Sequence, residues 1–171
     1  MTVPVLGEAL LVAAGAAIIA VAAIRLARRA RDRRYGRLVS VDAGPDGGAR
    51  LRSERFRISG RPDVVRRRRD GRSIPVELKT HPLPAGGPPR SHIVQVWAYC
   101  LLLEETEGGP PPFGVLRYGD GREVTVPWGR EERGILLGIR RAMDLPYDGR
   151  ARPSRARCAQ CRWRAICDAR A

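Results

Sequence analysis

The chain has 171 residues, of which 43% are hydrophobic, so it has room for one domain with a hydrophobic core and an appendage but not for a second large domain. Its formal net charge of +14 predicts an acidic partner, which is a nucleic acid or an anionic lipid surface unless the excess has no function. The basic residues are almost all arginine, and Lys79 is the single lysine.

The N-terminal segment predicts a membrane anchor. From Ala9 to Ile24 no residue is charged or strongly polar, and about 20 apolar residues span a bilayer as a helix. The basic stretch "RLARRARDRRYGR" follows at once and predicts that this side faces the cytoplasm. A cleavable signal peptide carries its charge before the apolar run, so we expect an uncleaved single-pass anchor. The alternatives are a buried Ala-rich helix or a mistaken start codon.

Short β-type runs and two helical runs follow the basic stretch. Gly and Pro clusters bound strands at 36–42, 49–59, 61–68 and 72–80, a helix at 91–107, strands at 113–119 and 122–128, and a helix at 129–143. This order predicts an α/β domain with a mixed central sheet flanked by helices. The expected organisation is an anchor at 1–26, a basic linker at 27–36, the α/β domain at 37–150 and an Arg/Cys-rich segment at 151–171.

The strand that carries Lys79 places two charged side chains on one face. Glu77 and Lys79 alternate with aliphatic residues, as in any strand with one buried face. If a two-residue turn joined this strand to the preceding one, Asp63 would lie opposite Leu78 on the aliphatic face. A three-residue turn with Gly71 in the left-handed conformation places Asp63 opposite Glu77. Because burying an unpaired carboxylate is costly, we predict the three-residue turn.

Two adjacent carboxylates repel each other unless a cation lies between them, and Mg²⁺ prefers such oxygen ligands. A neighbouring lysine, as a compact point charge, suits this site better than the wide planar guanidinium of arginine. In the apolar run "IVQVWAYCLLL", Gln95 is the one strongly polar side chain, so the helix is expected to be buried nearly all round. Gln95 should therefore point at a polar group, either this site or a loop carbonyl, with Tyr99 on the same helix face.

The order of these residues resembles the PD-(D/E)XK nuclease superfamily. The matching motifs are Gly60-Arg61-Pro62-Asp63, then Glu77-Leu78-Lys79, then Gln95 and Tyr99 in a Q-x-x-x-Y pattern. The resemblance covers roughly residues 37–169. It is strongest to the RecB-like branch that includes the CRISPR-associated exonucleases with a C-terminal cysteine cluster. It implies a restriction-endonuclease-like core.

The resemblance also implies roles for these residues. Asp63, Glu77 and the Leu78 carbonyl would bind Mg²⁺ or Mn²⁺, Lys79 would assist the attacking water, and Gln95 and Tyr99 would position the site or the DNA. The implied reaction is metal-assisted hydrolysis of phosphodiester bonds in DNA that is single-stranded or has free ends. The arginine-rich surface would bind the DNA backbone with little sequence preference.

The tail "CAQCRWRAIC" has the spacing with which those exonucleases hold an iron-sulfur cluster, so Cys158, Cys161 and Cys167 are its expected ligands. Zinc is the alternative metal, and a vestigial site whose thiols bind nothing is the third possibility. The fourth ligand of a 4Fe-4S cluster is unidentified, and Cys100 is expected to be a core residue.

The chain also departs from the family upstream. Relatives carry a metal-binding His or Glu on a helix before the motifs, where this chain has its apolar segment. Glu54, His81 and His92 are the candidate substitutes. If the missing ligand abolishes cleavage, the chain is a DNA-binding module at the membrane.

Overall fold

A computed structural model describes residues 3–41, 48, 50–144, 155–159, 161 and 164–166. The chain divides into two compact units, Met1–Gly138 and Ile139–Ala171. The helices are α1 (Val3–Tyr35), α2 (Arg90–Glu107), α3 (Arg130–Ala142), α4 (Arg155–Ala159) and a short 3-10 helix, Arg164–Ile166. The strands are β1 (Arg37–Val41), β2 (Leu51–Ser53), β3 (Ile58–Gly60), β4 (Val64–Arg67), β5 (Ser73–Lys79), β6 (Phe113–Tyr118) and β7 (Glu123–Pro127).

Five strands form one mixed sheet in the order β1-β4-β5-β6-β7. Strands β5 and β6 are parallel, because α2 connects them, and the other neighbours are antiparallel. The β6–β7 hairpin turns at Asp120-Gly121 as the sequence predicts, with Gly121 at φ 83°. The predicted α/β architecture, a mixed sheet flanked by helices, is confirmed.

Helix α1 continues through the basic stretch that the sequence suggested was a linker. Alanine and arginine are both good helix formers, so nothing breaks the helix before Gly36 at φ 90°. The last turn packs against the sheet: Tyr35 is 2% exposed with its ring 6.5 Å from that of Phe113, and Asp32 pairs with Arg66 at 2.8 Å. Residues 27–35 are therefore helical, and the end of this segment belongs to the core.

The apolar half of α1 is not covered by the rest of the described chain. Leu11, Val12 and Ile19 are each more than 70% exposed. Within the described residues, Ala9–Tyr35 is the one helix long and apolar enough to cross a membrane, and none of its apolar window is buried. The described residues do not bury this helix, so its apolar face is left for a membrane or another partner, and an N-terminal apolar helix is also typical of a signal sequence.

The run 49–59, expected as one strand, is a hairpin of β2 and β3 that pairs apart from the main sheet. Its turn is made by Arg57 at φ 53°, whose N–H donates to Glu54 O at 3.2 Å. The Ser53 hydroxyl accepts the N–H of Phe56 at 3.2 Å within this turn. The sequence gives little sign of this turn, because the left-handed position carries arginine rather than glycine.

Helix α2 lies between the sheet and the β2–β3 hairpin. From residue 92 to residue 104 none of its side chains is exposed, which confirms the expected all-round burial. The helix approaches β6 closely because Gly114 has no side chain: a Cβ there would lie 2.1 Å from Val96 Cγ1. This contact fixes the position of the residues beside Val96 on the helix, including Gln95.

Candidate active site

The β4–β5 hairpin has the predicted three-residue turn. Arg67 pairs with Ser73, the N–H of Arg68 donates to Arg72 O at 2.9 Å, and Gly71 is left-handed at φ 82°. The same register pairs Val64 with Val76, so the next residues along the two strands, Asp63 and Glu77, are neighbours. The register predicted from the cost of burying a carboxylate is confirmed.

The two carboxylates are held differently. Asp63 Oδ2 accepts the backbone N–H of Leu78 at 2.7 Å, which ties it to β5 beside Glu77. Glu77 is only 5% exposed, and its Oε2 has no hydrogen-bond partner among the described residues. Burial raises the pKa of the Glu77 carboxyl and the charge of Asp63 adds to the rise, while the hydrogen bond from Lys79 opposes it.

These residues fit a divalent cation. The Oε2 atom of Glu77 is buried without a donor next to a second carboxylate, because Lys79 contacts only the Oε1 atom, so a cation at Oε2 would offset its desolvation. Mg²⁺ and Mn²⁺ take one or two carboxylates with water and substrate phosphate. Among the residues that the structure describes, no group of three His, Cys, Asp or Glu side chains is placed to hold a metal ion. A cation here would thus rely on Asp63, Glu77, a backbone carbonyl and water.

Lys79 and Gln95 close a hydrogen-bond network around Glu77. Lys79 Nζ donates to Glu77 Oε1 at 2.9 Å and to Gln95 Oε1 at 2.8 Å. Gln95 Nε2 donates to the same Glu77 oxygen at 2.7 Å and to the Tyr99 hydroxyl at 2.9 Å. The expectation that Gln95 points at the charged strand face, with Tyr99 beside it, is confirmed, and the loop-carbonyl alternative is wrong. The four side chains hold each other's orientation.

Gly60 leaves the space that the ring of Tyr99 occupies. A Cβ at this position would lie 2.8 Å from Tyr99 Cε1, so any larger residue would push the ring and its hydroxyl away from Gln95. The glycine of the Gly60-Arg61-Pro62-Asp63 motif therefore supports the site through the ring of Tyr99.

The two histidines of the chain lie together beside Lys79. The sequence had suggested them only as candidate substitutes for the missing upstream metal ligand. The rings of His81 and His92 are 5.5 Å apart, and His92 Nδ1 is 3.0 Å from the Tyr118 hydroxyl. Burial lowers the pKa of His92, and the charges of Lys79 and His81 add to the effect. The third candidate ligand, Glu54, is exposed in the β2–β3 turn and pairs with Arg52. The sequence positions of the two histidines could have indicated this pair, because His81 directly follows β5 and His92 lies one turn before Gln95.

The cysteines separate into two groups. Cys100 is fully buried in the cluster of Val96, Trp97 and Leu101, and burial raises the pKa of its thiol, as expected of a core residue. Cys158 and Cys161 are free thiols in the second unit, where the N–H of Cys161 donates to Cys158 O at 3.3 Å. Cys167 lies outside the described residues. The described part of the chain thus gives no support for an iron-sulfur cluster.

The chain was also compared with known families, curated proteins and solved structures. A family model described as the PD-(D/E)XK nuclease superfamily matches residues 7–168. No curated protein matches the chain. Among solved structures, the crystal structure of SSO0001 is similar, with 22% sequence identity over 94% of this chain and 74% of that chain, at a TM-score of 0.48.

Proposed function

Because the chain belongs to the PD-(D/E)XK nuclease superfamily, we propose that it is a metal-dependent DNA nuclease, of the RecB-like exonuclease kind, tethered to a membrane by α1. The observation that carries this proposal is the network of Asp63, Glu77, Lys79, Gln95 and Tyr99. It brings an ammonium group and two carboxylates to the end of one strand, where a phosphodiester and a cation would both be accommodated.

Asp63, Glu77 and the Leu78 carbonyl would hold Mg²⁺ or Mn²⁺. When bound, such a cation lowers the pKa of a water ligand and neutralises charge on the phosphate. Lys79 orients the attacking water and stabilises the negative charge that develops on the phosphoryl oxygens. Water adds to phosphorus, the bond to the leaving oxygen breaks, and the products are a phosphomonoester and a hydroxyl end. Gln95 and Tyr99 act as positioning residues, because they hold Glu77 and Lys79 rather than the reacting atoms.

The network supplies a reason for the single lysine. Lys79 Nζ lies between Glu77 Oε1 and Gln95 Oε1 at 2.9 and 2.8 Å, and the side chain is 15% exposed. A guanidinium is wider and planar and carries its nitrogens in a fixed fork, so it would not reproduce the contacts of one compact ammonium with these two oxygens. The position therefore favours lysine in a chain that otherwise uses arginine.

The nuclease test uses the full chain in detergent with end-labelled single- and double-stranded DNA and either Mg²⁺ or Mn²⁺. We expect cleavage that Lys79→Ala and Glu77→Gln each reduce by about 100-fold or more. Asp70→Asn is the matched control, because this carboxylate lies in the turn at the other end of the hairpin and pairs with Arg72. Absence of cleavage by the unaltered chain, or equal loss with the control, would contradict the proposal.

The alternative function is a DNA-binding module at the membrane that no longer cuts. The lack of a third side-chain ligand among the described residues favours it. Binding of the same DNA without cleavage in either metal would establish this alternative.

The tether and the domain organisation are also proposals. We place the anchor at 1–26, with the nuclease domain at 37–150 on the cytoplasmic side of a single-pass protein and the segment 151–171 as an accessory metal site. Support comes from the exposed apolar half of α1 and the basic residues that follow it. Membrane fractions washed with carbonate should retain the protein if the tether is correct.

For the accessory site we propose that Cys158, Cys161 and Cys167 bind an iron-sulfur cluster, with zinc as the alternative. The support is their spacing alone. A visible absorption band that dithionite bleaches, together with iron and sulfide analysis, distinguishes the cluster from zinc.

A further inference from the structure

A cleft of about 460 Å³ lies where α1 ends against β1 and the β4–β5 turn, away from the candidate active site. Its lining is dominated by guanidinium groups, with Asp32 as the acidic member: Arg29, Arg33, Arg37, Arg67, Arg68 and Arg69. The three elements that meet here each contribute basic residues, so the charge is concentrated by the fold and not only by the sequence of one helix.

Most of this charge is not neutralised within the described chain. Asp32 is already engaged by Arg66 at 2.8 Å, outside the lining. Arg67 and Arg68 have acidic partners, Glu107 at 3.1 Å and Asp70 at 3.3 Å.

For the remaining four guanidinium groups the described residues provide no acidic partner: Arg29, Arg33, Arg37 and Arg69. Like charges gathered in one cleft repel, so the cleft is suited to an anion, and guanidinium groups recognise phosphate oxygens in pairs.

The position of the cleft selects the source of the phosphate. Arg29 and Arg33 follow Ile24, the last residue of the apolar run, by five and nine residues. A helix rises about 1.5 Å per residue, so these side chains start about 8 and 14 Å beyond that run. The headgroup layer on each side of a bilayer is about 5–8 Å thick. If the apolar run spans the membrane, Arg29 therefore starts at the outer edge of the headgroup layer and Arg33 about 6 Å beyond it, so the cleft opens next to the headgroups.

The catalytic network is at the other end of the hairpin. Arg67 pairs with Ser73 at the start of β5, whereas Glu77 lies four residues further along the strand. At about 3.3 Å per residue the two sites are separated by about 13 Å along β5. The cleft is therefore separate from the two carboxylates of the candidate active site.

We propose that this cleft binds the phosphate of anionic phospholipid headgroups, so that the domain rests on the membrane surface through the face at the base of α1. The proposal depends on the membrane tether proposed above but not on nuclease activity. Headgroup binding would fix the orientation of the sheet relative to the bilayer, beyond the attachment that an anchor alone provides.

The test reconstitutes the full chain in nanodiscs of phosphatidylcholine, with or without phosphatidylglycerol, and measures the unfolding temperature. Arg29→Gln/Arg33→Gln changes two cleft residues. The matched control Arg28→Gln/Arg31→Gln removes the same charge from the same helix segment outside the cleft lining. We expect phosphatidylglycerol to raise the Tm of the unaltered chain and the control by about 4–8 °C, and the cleft variant by less than half as much.

Three results of the Tm measurement would overturn the proposal: no rise in the unaltered chain, equal rises in both variants, or an equal rise when inorganic phosphate is added to phosphatidylcholine discs. The last would assign the cleft to free phosphate. A loss of single-stranded DNA affinity confined to the cleft variant, with its lipid response intact, would assign the cleft to nucleic acid and also overturn it. Failure of the chain to incorporate into any disc would refute the tether itself, whereas absence of DNA cleavage would leave the lipid result unaffected.

Discussion

The packing of α2 on β6 depends on the absence of one methyl group, and Gly114→Ala tests it. The added Cβ would lie 2.1 Å from Val96 Cγ1, whereas ordinary contacts begin at 3.4 Å. Helix and strand would have to separate by about 1.3 Å, and core overpacking of this kind costs about 3 kcal/mol of unfolding free energy. The hydrogen bond of 2.7 Å from Gln95 on α2 to Glu77 on the neighbouring strand β5 crosses the same interface between helix and sheet. The positioning of the candidate catalytic groups should therefore be lost together with stability.

The compensating change is Val96→Ala, which removes the atom that the new methyl group meets. Alone it should cost about 2 kcal/mol, through lost burial and a small cavity. In the double variant the methyl at position 114 fills space that the valine vacated, so the double variant should be more stable than Gly114→Ala alone. The expected coupling free energy is about 2–3 kcal/mol.

Urea unfolding followed by the fluorescence of Trp97 and Trp128, which are both buried, measures these differences. Gly134→Ala is the matched control, because a Cβ there meets nothing within 4 Å on a helix, and it should stabilise the chain by up to about 1 kcal/mol. If the costs of Gly114→Ala and Val96→Ala simply add in the double variant, the claimed steric contact does not control the packing.

Three further outcomes are expected. The raised pKa of Glu77 means that its ionisation destabilises the metal-free fold as pH rises above the ordinary value of 4.5, so Glu77→Gln should raise Tm in EDTA at pH 7 and do so less as pH falls. A fragment of residues 37–171 should be less stable than one of residues 27–171 by about 2–4 kcal/mol in urea unfolding, because it lacks the buried aromatic ring that ends α1. Iodoacetamide should label Cys161 in the native chain and reach Cys100 only after unfolding.

Each of these three expectations can be contradicted by experiment. A Glu77→Gln variant less stable than the unaltered chain in EDTA would show that the amide does not satisfy the unpartnered oxygen position beside Asp63. Equal stability of the two fragments would show that the last turn of α1 is not part of the core. Rapid labelling of Cys100 under native conditions would contradict its burial.

The candidate site was predictable from sequence where strong energetic penalties leave one arrangement. Asp63 could not be buried among aliphatic side chains, so the turn length and the register followed. Gln95 could not be buried without a polar partner, but the sequence left a loop carbonyl open as that partner, and only the fold shows that it is the Glu77–Lys79 pair.

Other features depend on tertiary contacts that leave no local pattern. Arg57 adopts the left-handed conformation without being glycine, so the β2–β3 hairpin was read as one strand. The closeness of His81 to His92 depends on where β5 and α2 meet in space. The roles of Gly60 and Gly114 are visible only when Tyr99 and Val96 are placed opposite them.

The turn of the β4–β5 hairpin makes the site sensitive to chain length more than to residue identity. Residues 69–71 are exposed, and substitutions at the first two should leave the register of Asp63 and Glu77 unchanged. A deletion or insertion that the turn does not absorb would shift the register by one position and move the carboxylate of Asp63 to the opposite face of the sheet. Related sequences that keep Asp63, Glu77 and Lys79 but differ in the number of residues between Asp63 and Glu77 should therefore be read as altered at the active site, even when every motif residue is present.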